Sequence, residues 1–409
     1  MGKFSKLSHE ALFLGRVERQ GRHRWTRSSA DALPGADEAV LCPGGKAPHI
    51  MTFAPHRSGR DRSCVVPNLL NYTGQAVVLD IDGRAYAATA DARRALGQQV
   101  MRLDPFGLIA PAGHTYTPVD WIQAPSQEIF SEECRNVAEL FSRGPSFGDL
   151  TESDTIGLLG AIIGYLYVVP EKKVNDLYDI LLTDDVVYSL AVVLDTIGKK
   201  LSVSTYSEIA SFLNKEDKAR TRILARAAAR FKVLSSLEVE AAMAGSDFMF
   251  PSDRPVTVYV IVPAERVTMY ATLLRVWIGG LLANALRAPD PAVPSLFLLD
   301  HCAELLPFPQ LEAAYATMSH RKVRIWSFWN DVSQLRAGYP RGWPAMIAGS
   351  GAVQVFGTGD PEAAAEAATV LGLPPDEIRS LGAQDQIVRL DGAPRRLRRL
   401  SMAGGAPPR

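Results

Sequence analysis

The chain has no excess of either charge, no cysteine cluster, no sustained heptad, no internal repeat and no apolar stretch of membrane-spanning length. Over 409 residues, 44 Lys and Arg balance 44 Asp and Glu, which excludes a bulk polyelectrolyte. The cysteines Cys42, Cys64, Cys134 and Cys302 are far apart, with no C-x-x-C pair and no zinc-type spacing. A disulfide framework is thereby excluded, and a reducing compartment, the cytosol, is expected. The apolar run Ala11 to Leu14 is too short for the core of a signal peptide. The longest apolar run, Ile156 to Val169, stops at Pro170, short of the roughly 20 residues that cross a bilayer. It reads as a buried helix, so membrane contact is expected only through partners, peripherally at the inner face. What remains is an ordinary globular composition, 47% hydrophobic and 22% charged, long enough for two or three domains.

From Ile50 onward, short apolar runs end at a small or acidic residue and helical patterns follow, the grammar of βα units. The runs Ile50 to Phe53, Ala76 to Ile81 and Gln99 to Leu103 predict strands, with helices from Gly59 to Asn71 and from Ala85 to Leu96. Strands without a polar face belong to a parallel sheet covered on both sides. Between Trp121 and Gly245 the pattern is helical only, with a cap expected at Ser153 and an apolar run from Val186 to Leu194. Strands resume at Val256 to Val262, Ser295 to Asp300, Val323 to Phe328 and Ala352 to Phe356, separated by helices such as Val267 to Arg287, Gln310 to Ser319 and Pro361 to Leu371. The expected organisation is an N-terminal segment 1–49, a nucleotide-binding-type α/β part 50–120, an all-helical insert 121–250, a second α/β part 251–400 and a flexible tail 401–409. Both ends are expected to be flexible or edge structure.

The segment Met51-Thr-Phe-Ala-Pro-His-Arg-Ser-Gly-Arg-Asp61 passes from a strand through a small-residue turn towards a helix, the position of a phosphate loop. In a working loop, G-x-x-x-x-G-K-S/T, backbone N–H groups cradle phosphates, lysine reaches the β/γ oxygens and the hydroxyl ligates Mg²⁺. Here Ala54 replaces the first glycine, Gly59 is kept, Arg60 stands for lysine and Asp61 for the hydroxyl. Arginine is bulkier and planar and does not occupy lysine's point, while a carboxylate at 61 repels phosphate. A second pair, Pro43-Gly-Gly-Lys46, is shorter than the motif and reads as a turn.

Pro67-Asn-Leu-Leu-Asn-Tyr72, Gln75-Ala-Val-Val-Leu-Asp-Ile-Asp-Gly-Arg84 and Leu96-Gly-Gln-Gln-Val-Met-Arg-Leu-Asp-Pro-Phe106 follow in order. With the loop they resemble the nucleotide-binding domain of type IV secretion coupling proteins, the TraG family, whose segments read V-I-P-N-L-L, V-V-L-D-I-K-G-E and L-G-Q-x-V-x-x-x-D-P. Ser246-Asp-Phe248, Leu298-Leu-Asp-His-Cys302, Trp329-Asn-Asp-Val-Ser-Gln-Leu335 and Val355-Phe-Gly-Thr-Gly-Asp-Pro-Glu362 extend the resemblance to Gly372. It implies an α/β fold of the RecA/FtsK-like P-loop NTPase type, with a mostly parallel sheet interrupted by a helical domain.

The resemblance also assigns roles. Asp300 takes the place of the Mg²⁺-holding aspartate and His301 that of the glutamate that polarises water, with Glu304 one turn further on as a candidate substitute. Asn330 takes the place of a glutamine that senses the γ-phosphate. Asp82 and Arg84 exchange the charges of the family's lysine and glutamate. A neutral imidazole at His301 can accept a proton. With several catalytic positions altered together and the scaffold retained, the expectation is a catalytically degenerate coupling-protein homologue. Such an adaptor or assembly subunit recruits DNA or a DNA–protein substrate beside an active paralogue or the secretion machinery, in an oligomer. Weak ATP binding, with or without Mg²⁺, would use the backbone of Arg57, Ser58, Gly59, Arg60 and Asp61. The alternative in the same family is an active ATP-driven translocation motor, and the alternative outside it is a structural α/β protein. The sequence assigns no DNA-binding residues; two basic clusters are candidates, Lys215, Lys218, Arg220, Arg222, Arg226 and Arg230, and Arg395, Arg396, Arg398 and Arg399.

Overall fold

The computed structural model describes residues 12–17, 39–42, 49–122, 126–142, 149–169, 173–174, 176–288, 293–317 and 322–400. The turn expected at Pro43 to Lys46 and the tail 401–409 lie outside them. The strands are β1 (Leu12–Arg16), β2 (Ala39–Cys42), β3 (His49–Phe53), β4 (Gln75–Ile81), β5 (Gln99–Leu103), β6 (Val256–Val262), β7 (Ser295–Leu299), β8 (Val323–Trp329), β9 (Ser350–Phe356), β10 (Asp385–Leu390) and β11 (Ala393–Arg398). They pair into one 11-stranded sheet in the order β2-β1-β11-β10-β9-β3-β8-β7-β4-β6-β5. From β9 across to β5 every pair is parallel. The four strands beyond β9 are joined antiparallel. This is the mostly parallel α/β sheet that the apolar runs predict.

Those runs lack a polar face because both faces are covered. In β6, Val256, Val258, Val260 and Val262 enter one hydrophobic cluster, while Tyr259 and Ile261 enter the cluster on the other side. Val77 and Leu79 of β4 divide from Ala76 and Val78 in the same way.

β1 and β2 are apolar but only a few residues long, and the hairpin β10–β11 carries no such run. β1 is held by side chains: Asn68 Nδ2 donates to the Phe13 carbonyl at 3.0 Å, and Phe13 N–H donates to Asn68 Oδ1 at 2.8 Å. Gln354 and Gln386 both donate to the Leu14 carbonyl, at 3.1 and 2.7 Å. In the hairpin the basic run is held by Asp385, which accepts from both Arg396 and Arg398 at 2.7 Å, while Leu397 turns inward.

Between β5 and β6 the described elements are helices only, from a short 3-10 turn at Pro118–Trp121 to Leu237–Ala242. The longest, Leu150–Val168, is buried along most of its length. Its cap is Asp149, which accepts from Glu152 N–H. Ser153, expected as a cap, lies inside the helix, because the acidic residue at 149 satisfies the orphan N–H groups a turn earlier. At Gly160 an added Cβ would stand 3.2 Å from the Arg135 backbone, so glycine lets the helix Gln127–Phe141 approach. Among the described residues no helix is long and apolar enough to cross a membrane.

Arg93, on the helix Arg84–Ala95, is fully buried and joins elements distant in sequence. It donates to Thr257 Oγ1 at 2.9 Å, Leu69 O at 3.1 Å, Gly74 O at 2.8 Å, Gln98 Oε1 at 2.6 Å and the Tyr72 carbonyl. Every acceptor is neutral; Gln98 Nε2 also reaches Gly74 O at 3.0 Å, so the guanidinium matters most for the Leu69 and Tyr72 carbonyls. Arg93→Met is expected to cost about 3 kcal/mol or more in urea unfolding by stranding them; a loss below about 1 kcal/mol would show the carbonyls find other donors.

Candidate nucleotide site

β3, β8 and β7 are consecutive in the sheet and parallel, so their C-terminal ends leave one edge side by side, spaced about 5 Å apart. β3 delivers the loop 54–61, β8 delivers Asn330, and β7 delivers Asp300 and His301. β4, beyond β7, delivers Asp80 to Arg84. A crevice outside the carboxyl ends of parallel strands is where α/β sheets bind ligands. The loop continues the ladder for one step, Ala54 N–H donating to Trp329 O at 2.8 Å, and then reverses with Arg57 at φ 59° and Gly59 at φ 81°. A wide π-helical turn, Asp61–Val65, follows and passes into an α-helical turn, Val66–Leu69. Pro67 has no N–H for the carbonyl four residues back and crowds it, which favours an opened turn over the regular helix expected from Gly59 to Asn71.

Arg60 spans this row of strand ends. It is only 6% exposed, and its Nε meets Asp300 Oδ1 at 2.7 Å. Its Nη1 donates to Asn330 Oδ1 at 3.2 Å and to the Ala54 carbonyl at 3.4 Å. Asp300 Oδ1 also accepts the His301 N–H at 2.8 Å. Asp61 is hydrogen-bonded to Asp300 side chain to side chain, a contact that needs a shared proton, and burial followed by the charge of Asp300 pushes the Asp61 carboxyl up to about 6. Burial raises Asp300 as well, against the opposing pull of Arg60. His301 adopts a left-handed backbone, φ 57°. Burial, reinforced by the Arg60 charge, lowers its imidazole to about 4, so it is neutral near pH 7 and a poor proton acceptor.

Arg57, Ser58, Gly59, Arg60, Asp61, Asp300 and His301 line one pocket of about 320 Å³. Asn330 joins it through Arg60. Glu304 faces Thr268, 3.5 Å away, and does not line the pocket. His56 and Asp80 also line it and were not singled out in the sequence. Asp80 accepts the N–H groups of Ala85 (2.9 Å) and Tyr86 (2.7 Å), capping the helix Arg84–Ala95, and burial pushes it up to about 7. A lone carboxylate at the end of an apolar run was the signal available.

The basic clusters are largely engaged elsewhere. Lys215 pairs with Asp154 at 2.9 Å, Arg226 with Asp149 at 2.6 Å, Arg230 with Glu152 at 2.7 Å, and Arg220 with Asp217. Arg396 and Arg398 are bound to Asp385, and Arg399 reaches the phosphate loop itself.

Mg²⁺, which the resemblance implies, is not matched by this donor set. The hydroxyl position holds a carboxyl bonded to Asp300, and Asp300 Oδ1 already receives Arg60 and a backbone N–H. Among the described residues no three His, Cys, Asp or Glu side chains converge as a metal-ligand group.

Protein VirD4 of Rhizobium radiobacter is 24% identical over 391 residues, covering 86% of this chain and 56% of that protein. Protein VirD4 of Agrobacterium fabrum is 26% identical over 322 residues, covering 76% and 47% respectively. The chain thus spans about half the length of the curated relatives it matches. The solved structure of plasmid coupling protein TrwB in complex with ADP and Mg²⁺ superposes with a TM-score of 0.70 at 14% identity, covering 97% of this chain and 95% of that one, a likeness of fold. Residues 17–374 match the family described as Type IV secretory system Conjugative DNA transfer, and the chain belongs to that family.

Proposed function

We propose that this chain is a coupling-type component of conjugative DNA transfer or type IV secretion that has kept the nucleotide-binding architecture and lost the hydrolytic centre. It acts as an adaptor or assembly subunit, bringing DNA or a DNA–protein substrate to the secretion machinery or to an active paralogue within an oligomer. The observation that carries this reading is the bonding of Arg60 to both Asp300 and Asn330. Phosphoryl transfer needs a cation on the β/γ oxygens, a metal and an oriented water at once. Here the cation is directed to the aspartate, the aspartate is neutralised by that cation, and the amide is bonded to it as well. His301, neutral and lowered to about 4, is a weak base for water. Nucleotide, if admitted, is held weakly by the loop backbone, and ATP turnover is absent or slow.

The test is ATP turnover with Mg²⁺ and single-stranded DNA. The unaltered protein is expected to show none above background. A variant carrying Arg60→Lys, Asp61→Thr and His301→Glu is expected to gain it, because it restores the phosphate cation, the hydroxyl and the carboxylate base together. Turnover by the unaltered protein that disappears in Asp300→Ala would favour the motor reading instead.

The Asp61–Asp300 contact has its own signature in stability. Asp61 has a folded pKa of about 6, above its unfolded value, so between about pH 4 and 6 the folded state holds a proton that the unfolded state has released. Its contribution is therefore greatest at low pH and is lost as pH rises. His49 and His301, both lowered to about 4 by burial, act in the opposite direction over the same window. The clean readout is the difference between the protein and Asp61→Asn. The variant should be no more stable at pH 4.5 and more stable by on the order of 2 kcal/mol at pH 7.5; a pH-independent difference in urea unfolding would argue against a shared proton.

A further inference from the structure

Behind the phosphate loop lies a cation that the nucleotide reading leaves without a role. β11 runs parallel to β9 and β3, because β10 is antiparallel to both its neighbours, so β11 ends at the edge that carries the site. Arg399 follows its last residue and turns back across the sheet. Its guanidinium stacks over the Phe356 ring at 3.8 Å, at the end of β9. Nη1 donates to the Ala383 carbonyl at 2.9 Å, and Nη2 donates to the Ser58 carbonyl and to Ser63 Oγ, the latter at 3.2 Å. A Cβ added to Gly59 would stand 3.2 Å from the same Nη2.

Two features set this arginine apart from the others near the site. It is only 9% exposed, with no polar partner for Nε. Its acceptors are carbonyls and a hydroxyl, and among the described residues no carboxylate pairs with it. A buried cation without a counter-ion is costly in a packed interior, and its field acts on whatever polar groups adjoin it. Arg60 differs, since Asp300 cancels most of its charge locally. Of the two buried arginines beside the loop, Arg399 is therefore the one whose charge is uncompensated, while Arg57 and Arg62 are exposed to solvent. Its bond to the Ser58 carbonyl also directs that peptide oxygen towards the guanidinium.

We infer that Arg399 is a positioning residue of the phosphate loop: it anchors the Ser58 carbonyl from behind and supplies the positive field for a bound phosphoryl oxyanion that Arg60, tied to Asp300, no longer supplies. The inference rests on the proposal that the loop backbone retains weak binding of phosphate groups. The ligand class is a di- or polyphosphate anion, free or as part of a nucleotide.

The probe is inorganic pyrophosphate, titrated calorimetrically at low salt without divalent cations. Arg399→Met should weaken binding by about tenfold, the scale of one unit charge acting across the loop without direct contact. Arg399→Lys, which keeps the charge, should stay within about threefold of the unaltered protein. Val388→Ala, a cavity in the buried side of β10 opposite Arg395, should lower the melting temperature and leave affinity within about twofold. Equal weakening in Val388→Ala and Arg399→Met would reduce Arg399 to a structural brace and overturn the inference, as would unchanged affinity in Arg399→Met. If the unaltered protein takes up no pyrophosphate at millimolar concentration, residual phosphate binding is lost from the proposed function. Hydrogen exchange at Ser58, Gly59 and Arg60 then decides the positioning role. Exchange about tenfold faster in Arg399→Met than in Val388→Ala supports it, and equal exchange overturns it.

Discussion

The contact between Arg60 and Asp300 is the constraint around which the site is arranged. It is possible because the sheet order places β8 between β3 and β7, so one long side chain crosses a single intervening strand end to reach the aspartate. Bringing both charges out of water is unfavourable unless every remaining donor and acceptor is satisfied. Asn330, the Ala54 carbonyl and the His301 N–H provide that satisfaction. The residues that depart from the family's pattern at 60 and 330 thus complement each other, and below about pH 6 a protonated Asp61 completes the set beside Asp300. A set of individually damaging changes would leave unpaired groups. This one closes on itself.

The parallel half of the fold was legible because burial on both faces leaves a direct trace, an apolar run with no alternation. β5, β6 and the helix Pro361–Leu371 begin and end where their patterns do. The antiparallel extension left a weaker trace, since β1 and β2 are apolar for only a few residues and the hairpin is largely polar. β1 depends on Asn68, Gln354 and Gln386, polar residues far away in the chain, and β11 presents a basic face whose one inward leucine is hidden among arginines. Positions 57–61 and 300–301 could be located from order and spacing, since strand ends in a parallel sheet converge on one edge. The partner choice of Arg60 could not, because rotamers are settled by neighbours brought in from three strands. Arg399 could not be singled out for the same reason: in sequence it is one arginine among four, and only the direction of β11 separates it from the rest.

Several of the basic side chains that stand out in the sequence are engaged within the fold. The insert's arginines brace helix to helix through Asp149 and Glu152, and Arg93 replaces a missing turn of backbone pairing with a guanidinium. Counting basic residues therefore overstates the positive surface open to an extended anionic polymer. The salt dependence of any association with nucleic acid has to be carried by residues outside these pairs.

β1 has a mechanical consequence. Its first residues lie against the helical turn that follows the phosphate loop, joined to it through both amide atoms of Asn68 and the backbone of Phe13. Tension applied to the polypeptide ahead of Leu12 would load those two bonds together with the pairing of β1 to β2. A tug from that direction would therefore reach residues 61–69 as well as the sheet, giving the pocket a tether that responds to force.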